Sequence, residues 1–238
     1  MNIFRVAPLV VALVGIQAGA APLPTEQTLM WVPVTHVFSP LGADSNDNTQ
    51  VVLSGYFPNL CYKSPRSEVQ IVGRTIKISL KALVDPRAGC ARVIVPILET
   101  VSLGVLTPGD YQISVNAASG TEGTAELSVA ESTSSAIDDY IYGNLHQIER
   151  MEGGRRVLLK GYNPSDCFVF DRVEYISNAK DTFSVLPIMK QVRAHCPMKM
   201  VPFQIESEVP NTLEAETVLL HVRVMNGNSI NALFENKL

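Results

Sequence analysis

The chain of 238 residues lacks the short motifs around which many enzymes build an active site. It contains no Gly-x-Ser-x-Gly turn, no His-Glu-x-x-His and no glycine-rich phosphate loop. Its four histidines, His36, His146, His195 and His221, occupy no matched positions in the internal repeat described below. These absences favour a non-enzymatic protein, and we expect no cofactor.

An excess of positive charge is also missing. Lys and Arg number 19 against 23 Asp and Glu, which gives a formal net charge of -4 at pH 7. Nucleic-acid binding depends largely on clustered Lys and Arg that neutralise phosphates. We therefore expect no nucleic-acid partner.

The four cysteines lack the spacing of a zinc site, because no Cys-x-x-Cys pair occurs. The sharpest local signal for a metal is the segment 195–200, where an imidazole and two thioethers suit Cu(I). However, Met198 and Met200 stand where a strand is expected to begin, so both would share one face and pack in a core. We expect no metal site, with His195, Met198 and Met200 as weak candidates.

No apolar run reaches the roughly 20 residues that a transmembrane helix requires. The run from Val6 to Ile16 follows Arg5 and precedes Ala18-Gly19-Ala20, which is the pattern of a secretory signal peptide. We predict a signal peptide at 1–21, no membrane span after its removal, and a location in the bacterial periplasm or outside the cell. A bacterial source is favoured because no Asn-x-Ser/Thr glycosylation acceptor occurs, proline excluding Asn163-Pro164-Ser165.

The main positive signal is an internal duplication with an offset of 106 residues. The segment 51–58 aligns with 157–164, Cys61 with Cys167, and Cys90 with Cys196. Over residues 51–96 the gapless alignment has fourteen identities in 46 positions, where chance would give about three. The period is too long for a solenoid repeat, so each copy is a domain.

The duplication also selects a disulfide pairing. Four cysteines allow three pairings, but a domain that is copied whole carries its bond within itself. We predict the bonds Cys61–Cys90 and Cys167–Cys196, each of which should stabilise its domain by about 3–4 kcal/mol.

The hydrophobic pattern predicts strands throughout. Glu68–Val72 and Thr75–Leu80 alternate between apolar and polar residues, as half-buried strands do. Turn signals such as Pro108-Gly109-Asp110 separate about seven such segments in each copy. We predict an all-β fold of two tandem immunoglobulin-like β-sandwich domains, at 22–131 and 137–238, joined by a linker at 132–136. Cutting that linker near Ser134 should leave two separately folded pieces.

Charged residues recur at matched positions beside the cysteine loops of both copies. They are Arg66 and Arg172, Glu68 and Glu174, and Arg87 and Arg193. One interpretation is a set of local salt bridges that order long loops. The other is a binding patch presented twice, at the disulfide end of each domain.

Two further features carry structural expectations. Gly55 and Gly161 should mark places of close backbone approach, and Tyr56 and Tyr162 should pack over the neighbouring disulfide loops. The segment 44–48 begins like a calcium loop but lacks its closing residues, so we interpret it as an Asx-rich hairpin loop.

Together these features predict a non-enzymatic exported protein of the cell envelope or the extracellular space that binds a partner or provides a scaffold. Its partner would be another envelope or extracellular protein. One alternative is a two-domain periplasmic assembly chaperone, which would need an exposed, alternating apolar edge strand in its first domain. A second alternative is a periplasmic metal-binding protein, which rests on Met198 and Met200.

Overall fold

The computed structural model describes residues 27–87, 89–117, 119–136, 138–152 and 154–236, and these form strands without any helix. The strands of the first domain are β1 Thr28–Trp31, β2 Val34–Phe38, β3 Thr49–Phe57, β4 Tyr62–Val72, β5 Thr75–Val84, β6 Val95–Gly104, β7 Gly109–Val115 and β8 Gly123–Val129. Those of the second are β9 Ile141–Tyr142, β10 Leu145–Arg150, β11 Arg156–Asn163, β12 Phe168–Ser177, β13 Thr182–Gln191, β14 Val201–Glu208, β15 Thr217–Val224 and β16 Asn228–Glu235. The predicted signal peptide lies outside the described residues.

Each domain is a sandwich of two sheets. In the first domain a three-stranded sheet, β2-β3-β6, faces a five-stranded sheet in which β5 pairs with β4 on one edge and with β1 and β7 on the other. The second domain repeats this arrangement strand for strand, with β10-β11-β14 facing the sheet built around β13. The all-β fold, the sandwich architecture and the duplication are therefore confirmed. The neighbours β5 and β7, and likewise β13 and β15, run parallel.

Among the described residues there is no helix long and apolar enough to cross a membrane.

The two twinned glycines have the predicted role. A Cβ atom added to Gly55 would collide with the carbonyl oxygen of Pro33, and one added to Gly161 would collide with that of Asn144. In both places the next residue donates its backbone N–H to that same carbonyl. Glycine is needed here because the neighbouring strand approaches too closely for any side chain.

The two tyrosines lie on the outer side of their sheets. Along β3 the core-facing residues include Val51 and Leu53, so alternation places Tyr56 on the outer side of the sheet. Tyr162 is also on the outer side, is 38% exposed and stacks on His146, with 5.2 Å between the ring centroids. Neither ring therefore faces the sandwich core.

The two domains stack face to face. The outer surface of the first domain's three-stranded sheet contributes Phe38, Val52 and Leu98, which pack against Leu219 and Leu233 on the outer surface of the second domain's five-stranded sheet. As a result β15 is buried along both faces from Val218 onward. The molecule is thus four sheets deep, with the interdomain layer in the middle.

Hydrogen bonds frame this apolar contact. They join Asn48 Nδ2 to the Gly227 carbonyl at 2.8 Å, Ser229 Oγ to Gln50 Oε1 at 2.6 Å, Asn231 Nδ2 to Thr100 Oγ1 at 2.9 Å, and His36 Nε2 to Asp181 Oδ2 at 2.8 Å. Each of these bonds joins one domain to the other. Their spread over the interface fixes the relative orientation of the two sandwiches.

A buried arginine closes the interface at the Asx-rich loop. Arg223 Nη1 donates to Asp47 Oδ2 and to the Gly42 carbonyl, both at 2.6 Å, and Nη2 donates to Asp138 Oδ1 at 2.7 Å. The guanidinium also lies over the ring of Tyr142, 4.7 Å from its centroid. The loop has its predicted Asx turns, since Asp47 Oδ2 accepts the backbone N–H of Asp44, but its main contact is with the other domain.

The two acids of this cluster differ in protonation. Burial raises the pKa of Asp138 to about 6, aided by the neighbouring Asp47 carboxylate. The pKa of Asp47 is lowered: burial opposes ionisation there, but the hydrogen bond and charge of Arg223 outweigh it. One arginine thus lies between an acid whose pKa is lowered and one whose pKa is raised to about 6.

The faces that meet have diverged from their counterparts in the other copy. The strand registers align Leu186 with Ser79 and Ile188 with Lys81, because each pair lies opposite the twin residues of β12 and β4. By the same criterion Leu219 corresponds to Gln112. At these positions the outer face of the second domain's five-stranded sheet, which packs against the first domain, is apolar. The matching outer face of the first domain's five-stranded sheet is polar there.

We predict that Arg223→Met lowers the free energy of unfolding by about 3–5 kcal/mol, because it leaves two buried acids without a counter-charge. Urea unfolding with the disulfides intact measures this. Adding Asp47→Asn and Asp138→Asn should recover part of the loss. Arg156→Met is the control, since Arg156 is exposed, and should change stability by less than about 0.5 kcal/mol. An Arg223→Met protein as stable as the parent would contradict the assignment.

Candidate binding surface

The disulfides are the predicted ones. Cys61 pairs with Cys90 and Cys167 with Cys196, with 5.6 Å between the Cα atoms in both. Each bond ties the connection before β4 or β12 to the long loop that leads into β6 or β14. Both bonds therefore fasten loops at one end of a sandwich.

The methionines beside the second disulfide do not pack in the core, so that expectation is wrong. Met198 is 98% exposed and Met200 is 70% exposed, because β14 begins only at Val201. His195 is exposed in the same loop. Among the described residues no three His, Cys, Asp or Glu side chains group closely enough to hold a metal ion.

The twinned charges have local partners. Arg172 bonds to Asp171 at 2.6 Å and to Glu174 at 2.8 Å. In the first domain the contact is between Glu68 and Lys81, at 3.9 Å. Of the remaining members, Arg66 is exposed in β4, Arg193 is 3.9 Å from Asp166, and the backbone N–H of Arg87 donates to Asp85. The two copies therefore make different contacts with these residues.

A polar groove lies beside the domain interface. It is about 700 Å³ in volume and is lined by residues that include His36, Asp110, Glu126, Lys180 and Asp181. Burial opposes ionisation of Asp181, but hydrogen bonds from His36, Asn178 and Thr182 lower its pKa overall. The His36 ring is hydrogen-bonded to Asp181, and no serine among the described residues hydrogen-bonds to it.

The first domain has one open flank, which we define as the edge of the sandwich between β4 and β6. On the opposite edge β8 comes close to β2, and Gly123 packs tightly against Val37. At the open flank β4 pairs only with β5, and β6 only with β3, among the described residues. The core-facing row of β4 here is Ser67, Val69 and Ile71, because these residues lie opposite the buried Leu80, Ile78 and Ile76 of β5.

This row is poorly covered. Val69 is 37% exposed and Ile71 is 40% exposed, although both point to the core side of the sheet. Across the gap, the core-facing row of β6 contains Ile97 and Glu99, which lie opposite Gly55 and Leu53 of β3. Glu99 therefore holds a carboxylate on the core side of its strand.

The second domain carries larger side chains at the same flank, although Tyr175 there is itself 50% exposed. Residues equivalent by register are Val173 for Ser67, Tyr175 for Val69, Phe203 for Ile97 and Ile205 for Glu99. Tyr175 stacks on Phe183 with the ring centroids 5.4 Å apart, and Ile205 is 8% exposed. Two aliphatic and two aromatic side chains of the second domain are thus replaced in the first domain by Ser67, Val69, Ile97 and the charged Glu99.

The position of Glu99 destabilises its charged form. It is half-buried, and it has no hydrogen bond or ion pair with any described residue. Burial alone raises its pKa above the ordinary value for a glutamate. A charge in such surroundings is destabilising unless a partner neutralises it.

The edge of β4 is protected along only half of its length. A bulge between Lys63 and Arg66 contains Ser64 at a φ of 50° and Pro65, both of which discourage pairing with another strand. From Ser67 to Val72 there is no bulge, proline or lysine. This six-residue stretch leaves a regular strand edge available.

A partly exposed tryptophan lies on the outer face of the same sheet. Trp31 is 38% exposed, and the Lys81 ammonium lies 4.8 Å from its ring centroid. Its counterpart, Tyr142, is buried beneath the first domain. Lys81 covers the tryptophan, and Ser79 is polar. This surface therefore resembles a polar outer face at the end of the stack of four sheets.

Comparisons with known proteins give one result. Residues 51–127 match a family model described as the ORF11 beta-sandwich domain. The match runs from β3 into β8 and covers most of the first domain. It supports the β-sandwich architecture. No curated protein and no solved structure matches the chain.

Sequence reasoning missed the open flank. The duplication alignment pairs Glu99 with Ile205, so a charge at a core position of the other copy was visible. That β6 lies at the edge of its sheet was not visible in the sequence, because strand order does not follow from periodicity.

We predict that Glu99→Ile raises the free energy of unfolding by about 1–2 kcal/mol, since it replaces a desolvated charge with apolar surface. Glu99→Gln should gain less, and its advantage should grow as pH rises. The raised pKa means that the parent loses stability as Glu99 ionises, whereas glutamine does not titrate. Urea unfolding at several pH values measures both effects. The control is Glu208→Gln, at an exposed position; a Glu99→Ile protein less stable than the parent would refute the account.

Proposed function

We propose that this chain is an exported, non-enzymatic binding module that engages another envelope or extracellular protein through the open flank of its first domain. The observation that carries the proposal is the contrast between two copies of one flank. The second domain has the buried Ile205 at this flank and stacks Tyr175 on Phe183, whereas the first has a half-buried Glu99 beside the exposed Val69 and Ile71. An apolar edge retained next to a destabilising charge fits a surface that a partner completes.

The second domain has a different role in this proposal. Its five-stranded sheet is covered by the first domain, and Arg223 locks the two together. It therefore serves as a rigid base that fixes the orientation of the binding flank. Export is supported by the signal-like start of the sequence and by the two disulfides, which persist in oxidising compartments.

An assembly chaperone is the second candidate, and the edge of β4 favours it. Such a protein needs an exposed edge strand with alternating apolar residues in its first domain, and Ser67–Val72 has that form. The two functions differ in the partner: a chaperone's client aggregates when purified alone, whereas the partner of a binding module is stable alone.

The test compares two versions of the mature protein as bait in envelope extract. In the filled-flank variant, Ser67→Val, Val69→Tyr and Glu99→Ile copy the second domain. We expect the parent to capture a partner that the filled-flank variant loses, because a partner cannot enter a closed flank. The readout is quantitative mass spectrometry of the captured proteins.

The control variant is Tyr162→Ala. Tyr162 lies in the second domain, and its exposure of 38% is close to the 37% of Val69. This variant should capture the partner normally. Retained capture by the filled-flank variant, or no specific partner for the parent, would count against the proposal.

A further inference from the structure

We propose that the open flank accepts an extended β-strand of another protein, which pairs with Ser67–Val72 and carries a lysine or arginine opposite Glu99. This inference rests on the proposed function and specifies the chemistry of the partner. Adding a strand to a free sheet edge satisfies backbone groups of both chains, and alternate side chains then set specificity.

The backbone requirement is met on β4. The strand pairs with β5 on one side only, and the stretch from Ser67 to Val72 is regular. Residues 68–72 are exposed on both faces, so the sandwich itself blocks neither side of an incoming strand. The bulge at Lys63–Arg66 would end the pairing at the other end of the site.

The side-chain requirement comes from the second domain, which carries larger side chains at the same flank. There Val173, Tyr175 and Phe203 supply the apolar volume that Ser67, Val69 and Ile97 lack. A donor strand must bring that volume itself, so its core-facing side chains are apolar. They alternate with polar residues that face solvent.

The charge requirement comes from Glu99. Its carboxylate is half-buried on the core side of β6 and has no counter-charge among the described residues. A donor strand that covered it without a cation would bury the charge further, at a large cost. A lysine or arginine in the core-facing row would neutralise it and select one register, since only one alignment places the cation there.

A second copy of the chain is not the donor. The matching edge of the second domain is β12, whose core-facing residues Val173, Tyr175 and Ser177 include no cation. Tyr175 is already stacked within its own domain. The β4 edge of a second copy, with Ser67, Val69 and Ile71 in its core-facing row, offers no cation either, so we take the donor to be a different protein.

The test uses two fluorescent peptides as probes, Thr-Val-Thr-Val-Thr-Lys-Thr-Val-Thr and the same peptide with Glu in place of Lys. Fluorescence anisotropy measures their binding to the full mature protein. We expect the Lys peptide to bind the parent about tenfold more tightly than the Glu peptide. Glu99→Gln should remove the preference, Glu99→Lys should reverse it, and the filled-flank variant should bind neither peptide.

The outcomes separate the two proposals. A Lys preference that survives in Glu99→Lys, or binding that survives in the filled-flank variant, overturns the strand inference. Failure of both peptides to bind the parent also overturns it. In either case the proposed function stands if the parent still captures a partner that the filled-flank variant loses. Glu99→Gln keeps the test valid should Glu99→Lys not fold.

Discussion

The structure depends on one asymmetric contact, the packing of the first domain's three-stranded sheet on the second domain's five-stranded sheet. Duplication gives both copies the same two outer faces, and such a head-to-tail contact leaves one face of each kind unused. The contact that forms is apolar at Phe38, Val52 and Leu219 and is closed by Arg223 between Asp47 and Asp138. It explains why β15 is buried on both sides in an otherwise two-layered domain.

The unused faces have diverged in the opposite direction. The register places Glu149 where the first domain has Phe38, because these residues lie opposite Leu158 and Val52. Likewise Gln112 stands where the second domain has Leu219. Polar outer faces of this kind end a stack, as capping repeats do in solenoid proteins. With both ends closed, the open flank between β4 and β6 is the place where the first domain keeps apolar core-side residues uncovered.

Much of the architecture could be predicted from the sequence. The 106-residue offset and the cysteine positions led to the correct disulfides, and the role of Gly55 and Gly161 followed from the absence of a Cβ. The interface could not be predicted in this way. The gapless alignment pairs Leu80 with Leu186, yet the register pairs Leu186 with Ser79, because the β12–β13 turn is longer by one residue. A one-residue shift exchanges the two faces of a strand, so Leu186 and Ile188 lie on the outer face of the sheet, apart from the second domain's core.

The same shift bears on whether the two domains are independent of each other. Intradomain disulfides suggested two independent pieces, but the stacked sheets and Arg223 imply that the two domains stay associated. A protease site inserted at Ser134 tests this directly, with size-exclusion chromatography of the cleaved, oxidised protein at micromolar concentration. The account predicts that the cut chain elutes at the size of the intact molecule. Two separate folded domains in the elution profile would contradict it.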